Sequence, residues 1–453
     1  MLFGTSGIRG LYGSFVTEEL ALRIGNIFAA GYGKDVIIGR DTRTTGESLA
    51  NSVISGVLSS GRNAIDCGIV PTPTLALATL NNRCNGIMIT ASHNPPEYNG
   101  LKLFANGVEI SRKIEKEVEA MYNRTESLLL ARWNNLGKLE IYDNAVSEHK
   151  KMITKLVNME KIRKRKPKVI VDPNGAGTVI TTDLLRDMGC EIISINSGLR
   201  GFDRPSEPNA ENLKGLAAKV LELKADLGIG HDGDADRTVV VDETGTVLPL
   251  DVQLAIMIEN ELSRTTVKGK KKIISTVEAS LCVREAVENA GAELLVTPVG
   301  SLYVSEELER TEAVFGGEPC GEYVFSNGIH APDGILAAAK FVEIFCEKGK
   351  LSALRNKYKT YFMLRGKFEC ANSEKYKIVD RVRDKIEKEN RTKANCKIRT
   401  DDGIRVDEPD GWFLIRASGT EPYVRLTMEY RTKEKQEKKA GELIEVIEKE
   451  SGA

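Results

Sequence analysis

Apolar and polar positions follow the same arrangement three times along the first three quarters of the chain. A short apolar run of strand type is followed by a loop, by a segment with helical periodicity, by a glycine and by a second apolar run. The three occurrences are residues 36–39, 48–60 and 63–67; residues 169–171, 181–188 and 191–195; and residues 273–276, 281–290 and 293–297. Gly61, Gly189 and Gly291 stand where each helix would end. Each unit predicts a strand, a helix and a second strand of a parallel or mixed sheet.

The pattern changes after about residue 360. Residues 375–389 and 434–448 predict charged amphipathic helices, and residues 411–416 and 423–428 predict strands. The three earlier units lie roughly a hundred residues apart, which is about one domain each. We therefore predict three related α/β domains followed by a separate α+β domain. The predicted boundaries are 1–145, 146–245, 246–360 and 361–453.

Composition and charge indicate which classes of protein are disfavoured. Lys plus Arg number 64 and Asp plus Glu 65, so no strong field points to nucleic acid or to a membrane surface. The basic run at residues 161–168 is interpreted as a solvated face between domains. The eight cysteines are scattered without a Cys-x-x-Cys pair, which favours reduced thiols in a cytosol. No signal-like or membrane-spanning apolar run occurs, so we expect a cytoplasmic protein.

The first candidate site is a loop behind a strand-like segment. The apolar run at residues 87–89 ends before Ser92 and His93, which are followed by Pro95 and Pro96. The prolines remove amide donors and restrict the backbone, so the loop has a defined shape. From the residues alone, Ser92 is a nucleophile, a phosphate carrier or a turn residue.

The second candidate site is an acidic loop. Asp232, Asp234 and Asp236 alternate with Gly233 and Ala235, which would let the backbone curl and bring the three carboxylates together. Converging hard oxygen donors suit Mg²⁺. A solvated acidic turn and a structural Ca²⁺ site are the alternatives, and the spacing does not fit an EF-hand.

Two further loops carry polar groups. Arg416 and Arg425 flank hydroxyls and a glycine, a donor set that could hold a phosphate dianion; the alternative is a β-turn with two exposed arginines. Glu318 and Glu322 stand between glycines, where they would meet sugar hydroxyls or an amine, unless they belong to an exposed turn.

Four motifs stand in order along the chain, and a fifth lies between the last two. They are TSGIRG (5–10), TASHNP (90–95), DGDADR (232–237), GEPCGE (317–322) and RASGT (416–420). Together they closely resemble the α-D-phosphohexomutases, the family of phosphoglucomutase, phosphomannomutase and phosphoglucosamine mutase. The resemblance spans essentially the whole chain, and the ordered set is far more specific than any single motif. It implies an α/β fold of three topologically similar α/β domains with mixed sheets and a smaller C-terminal α+β domain around a central cleft.

The resemblance also implies roles for the matching residues. The family's phosphoserine falls on Ser92, and its Mg²⁺ ligands fall on Ser92, Asp232, Asp234 and Asp236, with one ion per chain. Positions that assist proton transfer and charge stabilisation match Arg9, His93, Lys102 and Arg237. The phosphate-binding loop matches Arg416, Ser418, Gly419, Thr420 and Arg425. The sugar-contacting loop matches Glu318 and Cys320, to which we add Glu322.

Three positions depart from the family pattern. Cys320 stands where many members have serine, Glu322 where many have histidine, and Ser301 where the family has an aspartate. These changes leave the phosphoryl chemistry intact but bear on the choice of sugar. His231 and Glu322 resemble archaeal members, several of which are treated as phosphoglucosamine mutases.

The resemblance implies that Ser92 carries the phosphoryl group. Phospho-Ser92 would give it to a hexose 6-phosphate, and the resulting 1,6-bisphosphate, which also serves as activator, would turn over and return its 6-phosphate. His93 is not expected to deprotonate Ser92, because neighbouring side chains on extended backbone point apart. The small-molecule partner would be a sugar phosphate, with no nucleic acid or membrane involved.

Our first choice of reaction is glucosamine 6-phosphate to glucosamine 1-phosphate, because the Glu322 carboxylate would face the ammonium at C2. The alternative for Glu322 is solvent or a nearby Lys or Arg, and the alternative sugars are mannose and glucose phosphates. A metal-dependent sugar phosphatase fits the acidic loop but leaves the Arg416–Arg425 segment unexplained. A catalytically silent sugar-phosphate binding protein is disfavoured by the intact Ser92 and aspartates.

Overall fold

The strands of the described residues form four sheets that follow one another along the chain. The computed structural model describes residues 2–4, 6–124, 127–267, 269–390, 396–419 and 422–451. Within these residues, no helix combines the length and the apolar character needed to cross a membrane.

The first sheet has the order β1-β5-β4-β2-β3-β7, with β6 paired to β5. Strands β2, β3, β4 and β7 are mutually parallel, and β5 runs antiparallel to β1 and β4, so the sheet is mixed. Its strands are β1 Ile8–Leu11, β2 Val36–Arg40, β3 Ala64–Ile69, β4 Asn85–Ile89, β5 Tyr98–Ala105, β6 Val108–Glu109 and β7 Leu139–Ile141. Its helices are α1 Glu18–Tyr32, α2 Gly46–Ser59, α3 Thr72–Asn82 and α4 Arg112–Arg124.

The second sheet has the order β11-β10-β8-β9, with only β11 antiparallel. Its strands are β8 Lys168–Asp172, β9 Glu191–Ser194, β10 Leu227–His231 and β11 Thr238–Asp242. The helices of this part are α5 Ala145–Leu156, α6 Met159–Arg165, α7 Thr181–Asp187 and α8 Lys214–Glu222, with a 3₁₀ turn at Ala176–Val179.

The third sheet has the order β13-β12-β14-β15, with only β15 antiparallel. Its strands are β12 Lys272–Thr276, β13 Glu293–Thr297, β14 Phe315–Gly317 and β15 Tyr323–Phe325. Its helices are α9 Leu250–Arg264, α10 Leu281–Asn289, α11 Ser301–Thr311, α12 Gly334–Lys348 and α13 Leu351–Arg355.

The fourth sheet is antiparallel throughout, in the order β16-β20-β19-β18-β17. Its strands are β16 Phe362–Glu369, β17 Lys397–Arg399, β18 Ile404–Glu408, β19 Gly411–Ala417 and β20 Tyr423–Tyr430. Its helices are α14 Lys375–Asn390 and α15 Lys433–Ser451. Three mixed α/β sheets followed by an antiparallel α+β unit confirm the predicted fold class, while the domain boundaries stay predictions.

The three repeated units are confirmed element by element. The strands predicted at 36–39, 169–171 and 273–276 are β2, β8 and β12, and each is followed by the predicted helix and second strand. Gly61, Gly189 and Gly291 have φ values of 82°, 103° and 68°, so each occupies a backbone conformation that favours glycine. The glycines therefore act as helix terminators, as their position indicated.

The second and third sheets share one hydrophobic core. Val171 and Ile229 of the second sheet and Ile273 and Phe315 of the third belong to the same buried cluster. Helix α12, which lies in this cluster, packs against β10 and β11. Burying one apolar side chain of this size stabilises the folded state by about 1.5–3 kcal/mol. The core thus gives the loop between β10 and β11 a fixed support.

A network of buried hydrogen bonds joins three separate segments. His149 of α5 is hydrogen-bonded through Nδ1 to Thr74 Oγ1 of α3 at 2.8 Å and through Nε2 to Asp333 Oδ2 at 2.9 Å. Asp333 also accepts a hydrogen bond from the backbone N–H of Leu336 and so caps α12. All three polar side chains are fully buried. These hydrogen bonds connect α3, which belongs to the first sheet, with the start of α12.

Candidate active site

Ser92 lies in a loop that follows the carboxyl end of β4. The residue is 1% exposed, and its φ of 48° is in the left-handed region, which costs free energy for a residue with a side chain. Its N–H donates to Thr90 Oγ1 at 2.8 Å, and its carbonyl accepts from Arg43 Nη2 at 2.9 Å and from Ser206 Oγ at 2.8 Å. These three hydrogen bonds offset the cost and fix the position of Oγ.

Arg43 organises the whole Ser92 loop. Besides Ser92, its guanidinium donates to the carbonyls of Asn94, Pro95 and Tyr98 at 2.7–2.8 Å. It also forms a buried ion pair with Asp41 at 3.1 Å. The sequence analysis missed this residue. The available signal was its place just after β2, a parallel neighbour of β4, because carboxyl ends of parallel strands meet at one edge.

The expectation that Ser92 and His93 point apart was wrong. It assumed extended backbone, whereas the left-handed conformation of Ser92 brings its Oγ to 3.3 Å from His93 Nδ1. The positive charge of Arg237, followed by burial and by Arg9, holds the pKa of His93 well below its usual value. His93 is therefore neutral near pH 7 and has a nitrogen lone pair available for a proton.

The three aspartates converge as the sequence predicted. Asp232, Asp234 and Asp236 lie in the loop between the antiparallel strands β10 and β11, where Ala235 has a φ of 55°. All three are buried, and their carboxylate oxygens lie within 4.8 Å of one another. Ser92 Oγ donates to Asp232 Oδ2 at 2.7 Å, so two loops 140 residues apart in sequence form one centre.

Lys102 forms ion pairs with two carboxylates of this centre. Its Nζ lies 2.8 Å from Asp234 Oδ2 and 2.7 Å from Asp236 Oδ2. Burial alone would lower the pKa of Lys102, but the two carboxylates outweigh burial and raise it. Thr72, at the start of α3, donates to Asp234 at 2.5 Å and is a second contact that the sequence analysis missed.

The carboxyl groups carry more negative charge than Lys102 balances. Burial, followed by the charge of Asp234, raises the pKa of Asp236 to about 6. Burial and both neighbouring aspartates raise the pKa of Asp232 well above its usual value. For Asp234, burial acts in the same direction, but Lys102 outweighs it and lowers the pKa. A cation would relieve this repulsion.

Two oxygens of the centre have no hydrogen-bond partner. Asp234 Oδ1 and Asp236 Oδ1 are both buried and unpaired. Buried polar atoms are seldom left without partners in folded proteins. Three converging carboxylates, two orphaned oxygens and an excess of negative charge fit a hard divalent cation such as Mg²⁺.

Arg9 and Arg237 are the two arginines that were predicted to assist Ser92. Arg9 Nη2 donates to Ser6 Oγ at 3.1 Å, and its charge also lowers the pKa of His93. The backbone N–H of Arg237 donates to Asp232 Oδ1 at 3.2 Å. Arg237 thus belongs to the acidic loop through its backbone, which leaves its side chain to reach the third sheet.

The glutamate loop lies between β14 and β15 and meets Arg237. Glu322 Oε1 accepts from Arg237 Nε at 3.0 Å and Nη2 at 2.8 Å. Pairing with an arginine was the alternative considered for Glu322, and it removes the argument that Glu322 faces a sugar ammonium. Glu318 Oε2 accepts a 3.2 Å hydrogen bond from Gly300 N–H, and burial and Glu322 raise the pKa of Glu318 well above its usual value. Burial and the charge of Glu322 likewise raise the pKa of the Cys320 thiol.

The arginine loop is built by β19 and β20. Arg416 and Arg425 are directly opposite in the strand register, and the buried Ser418 donates its N–H to Tyr423 O at 2.9 Å. Gly419 is exposed, and Thr420 lies outside the described residues. Arg416 donates to Glu278 Oε1 from Nε at 3.1 Å and from Nη2 at 2.8 Å. Sequence reasoning had no signal for Glu278.

The structure therefore brings part of the predicted set into one centre. Ser92 contacts His93 and Asp232, Lys102 contacts Asp234 and Asp236, and Arg237 links the acidic loop to Glu322. The charges of Glu322 and Glu278 both raise the pKa of Glu318. Ser301, which stands where the family has an aspartate, lines a small cavity beside Lys102 and Asp236. This position therefore lies near the acidic loop.

Comparison with known proteins covers nearly the whole chain. Four family models match, described as phosphoglucomutase/phosphomannomutase alpha/beta/alpha domain I at residues 1–128, domain II at 147–245, domain III at 250–361 and C-terminal domain at 367–446. A probable phosphoglucosamine mutase of Thermococcus gammatolerans is 39% identical over 451 residues, 99% of this chain and 97% of the relative. One of Methanosarcina barkeri is 41% identical over 435 residues, 95% of each. A phosphoglucomutase/phosphomannomutase of Thermococcus kodakarensis is 38% identical over 446 residues, which are 96% of this chain and 95% of the relative.

Solved structures agree at the level of the fold. A phosphoglucomutase/phosphomannomutase family protein of Burkholderia thailandensis aligns with a TM-score of 0.84 at 27% identity, over 99% of this chain and 97% of the other. An Aspergillus fumigatus N-acetylphosphoglucosamine mutase, solved with GlcNAc-6P and magnesium, aligns with a TM-score of 0.60 at 14% identity. The alignment covers 100% of this chain and 96% of the other.

Proposed function

Because the chain belongs to the phosphoglucomutase/phosphomannomutase family, we propose that it interconverts hexose 6-phosphate and hexose 1-phosphate through a phosphoserine at Ser92. The observation that carries this proposal is the 2.7 Å hydrogen bond from Ser92 Oγ to Asp232, which sets the carrier oxygen directly against the acidic loop. A turn residue would not need this contact, and a plain nucleophile would not need an adjoining cation site.

Ser92 carries the group through two transfers. In the first, a sugar hydroxyl attacks the phosphorus of phospho-Ser92 and gives its proton to a nearby base, while the P–Oγ bond breaks and Ser92 Oγ takes up a proton. In the second, Ser92 Oγ loses this proton and attacks the other phosphoryl group of the 1,6-bisphosphate. The bond between that phosphorus and the sugar oxygen breaks, and the sugar oxygen takes up a proton. The neutral imidazole of His93, 3.3 Å from Oγ, is placed to exchange these protons.

Charge around the carrier is arranged for phosphoryl transfer. Mg²⁺, when held by Asp232, Asp234, Asp236 and Ser92, supplies positive charge to the transferring group. Lys102 orients two of the aspartates at 2.7–2.8 Å. Arg9 and Arg237 add positive potential, which also lowers the pKa of His93.

The phosphate that does not react needs a second site. We assign it to Arg416, Ser418, Gly419, Thr420 and Arg425, which combine guanidinium, hydroxyl and backbone donors. The carboxylate of Glu278 contacts Arg416 now, and a phosphate dianion bound there would replace it. With both sites fixed, the bisphosphate must reorient between the two transfers.

Product analysis tests the reaction. With Mg²⁺, a hexose 6-phosphate and a catalytic amount of the 1,6-bisphosphate, we expect hexose 1-phosphate to form and the rate to fall when the bisphosphate is omitted. A phosphatase would need no priming. Release of inorganic phosphate without hexose 1-phosphate would therefore contradict the proposal.

Glucosamine phosphate is our proposed substrate, supported by relatives about 40% identical that are named probable phosphoglucosamine mutases. The carboxylate for its C2 ammonium is Glu318 in this proposal, since Arg237 occupies Glu322. An ammonium beside Glu318 would favour the ionised carboxylate, whose Oε2 accepts a 3.2 Å hydrogen bond from Gly300 N–H.

Replacing Glu318 by glutamine is expected to lower kcat/KM for glucosamine phosphate about tenfold to a hundredfold more than for glucose or mannose phosphate. This range corresponds to about 1–3 kcal/mol for a charged hydrogen bond. The matched control is Glu322→Gln, which should lower all three values alike because it loosens Arg237. Equal losses for all three sugars in Glu318→Gln, or a wild type that prefers mannose or glucose phosphate, would contradict the choice of sugar.

A further inference from the structure

A segment that follows a strand of the second sheet reaches the loop that carries Ser92. It comprises residues 201–206, between β9 and α8, and we call it the bridging segment. Gly201 N–H donates to the Thr42 carbonyl at 2.6 Å, and Thr42 Oγ1 donates to the Gly201 carbonyl at 2.9 Å. Ser206 Oγ donates to the Ser92 carbonyl at 2.8 Å. Thr42 follows β2 and Ser92 follows β4, so both ends of the segment bind loops of the first sheet.

The middle of the bridging segment is fixed to the second sheet. Arg204 Nε lies 2.9 Å from Asp172 Oδ2 at the end of β8, in an ion pair whose two side chains are buried. Arg204 Nη2 donates to the His231 carbonyl at 2.6 Å, directly before Asp232. Asn174 Oδ1 accepts from two consecutive N–H groups of the segment at 2.9 and 3.0 Å. The segment therefore rests on the strand ends from which the acidic loop starts.

Phe202 lies where the Ser92 loop and the acidic loop meet. Its ring centroid is 4.8 Å from Cζ of Arg43, the residue that holds the Ser92 loop, which is a cation–π distance. A Cβ atom at Gly233 of the acidic loop would lie 2.7 Å from Phe202 Cζ and 2.8 Å from the Ser92 carbonyl oxygen. Glycine allows this close approach, so the ring, the Ser92 backbone and the acidic loop are in contact at one point.

We propose that the bridging segment sets the spacing between Ser92 and the acidic loop, with Phe202 as a positioning residue. The direct bond from Ser92 Oγ to Asp232 is lost whenever Oγ carries a phosphoryl group, because the ester oxygen has no proton to donate. The contacts of the segment use the Ser92 carbonyl, the Thr42 backbone and hydroxyl, and the Arg43 guanidinium. Phosphorylation of Ser92 consumes none of these groups, so the segment keeps the two loops at the same spacing in both states of the enzyme.

This inference rests on the proposed function for its effect on turnover, but not for its effect on Mg²⁺ binding. The cation would be held by donors of both loops, and Mg²⁺ demands near-ideal octahedral geometry. A shift of the Ser92 loop relative to the aspartates should therefore weaken Mg²⁺ binding whether or not the chain is a mutase.

Replacing Phe202 by alanine is expected to raise the Kd for Mg²⁺ about tenfold and to lower kcat about tenfold to a hundredfold, the range for a small misplacement of reacting groups. KM for hexose 6-phosphate should stay unchanged, since the proposed phosphate and sugar contacts, Arg416 and Glu318, lie outside the two loops. The measurements are isothermal titration calorimetry with Mg²⁺, on proteins matched for phosphate content by intact mass, and steady-state kinetics. The control is Leu199→Ala, a truncation two residues before the segment at a side chain that is 50% exposed, which should change neither value.

Thr42→Val tests the bridging segment from the side of the first sheet. It keeps the shape of the side chain and removes the hydroxyl that donates to Gly201. The Kd for Mg²⁺ should rise and kcat should fall by about twofold to tenfold, the range for one hydrogen bond. If Phe202→Ala does not fold, Thr42→Val alone decides the outcome.

Unchanged Mg²⁺ affinity and kcat in the variants, even with a lowered Tm, would show that the segment only supports the fold and would overturn the proposal. A wild type that does not bind Mg²⁺ would overturn it as well. A wild type that binds Mg²⁺ without forming hexose 1-phosphate would contradict the proposed function alone, and the Mg²⁺ affinities of the variants would still decide the inference.

Discussion

Replacing Ser92 by alanine is expected to abolish the interconversion of the two sugar phosphates, with kcat lowered at least about a thousandfold. The variant loses only the oxygen that carries the phosphoryl group, while the three contacts that fix the loop involve Thr90, Arg43 and Ser206 with the Ser92 backbone. Sugar-phosphate binding should therefore change little. The measurements are kcat in the presence of 1,6-bisphosphate, binding by calorimetry, and intact mass, which should show one phosphate on the wild type and none on the variant.

Ser206→Ala is the matched control for this experiment. It removes a hydroxyl 2.8 Å from the Ser92 carbonyl but leaves the carrier oxygen in place. We expect it to keep the phosphate and lose only about tenfold in kcat, the range for one supporting hydrogen bond. Normal turnover by Ser92→Ala would remove the carrier role altogether.

Asp236→Asn should lower turnover by about a hundredfold or more, because it removes one charged donor from the cation site and one partner of Lys102. In metal-free protein we expect the opposite effect on stability. The pKa of Asp236 is raised from 3.8 to about 6 in the folded chain, so the folded state binds this proton more tightly than the unfolded one. The aspartate therefore destabilises the fold progressively as pH rises from about 4 to about 6, and fully above that.

The asparagine does not ionise, so the variant should be more stable than wild type by about 1–2 kcal/mol at pH 8 in EDTA and should lose this advantage at pH 4. The measurements are Tm with and without Mg²⁺ at both pH values, together with kcat. Asp183→Asn, an exposed change on α7, is the control. Full activity of EDTA-treated wild type without added metal would contradict a catalytic cation at this loop.

The elements that local pattern predicted are those whose geometry is set locally. The units around β2, β8 and β12 were placed to within one or two residues, because strand and helix periods differ and a glycine ends each helix. The acidic loop was also predictable, since three carboxylates at alternate positions have few other stable arrangements.

The contacts that the sequence did not indicate are all between distant segments. Arg43 reaches Ser92 across 49 residues, Ser206 reaches it across 114, and Arg237 reaches Glu322 across 85. Nothing in the local pattern specifies these partners. The left-handed conformation of Ser92 belongs to the same class, since it depends on hydrogen bonds from Arg43 and Ser206 that no short segment contains. The error on His93 comes from this source, and so does the choice that the sequence left open for Glu322, which the structure pairs with Arg237.

The ion pair between Arg416 and Glu278 affects which molecules could bind at the proposed phosphate site. A guanidinium that already has a carboxylate counter-ion at 2.8 Å gains little by exchanging it for another monoanion. A neutral sugar has no charge that could replace the Glu278 carboxylate, and a sugar acid brings only an equal charge. A phosphate dianion brings more charge and more acceptor oxygens, so it can displace Glu278 with a net gain. With the proposed phosphate site at Arg416, the ion pair would select ligands by their charge and would exclude unphosphorylated sugars before their ring substituents are recognised.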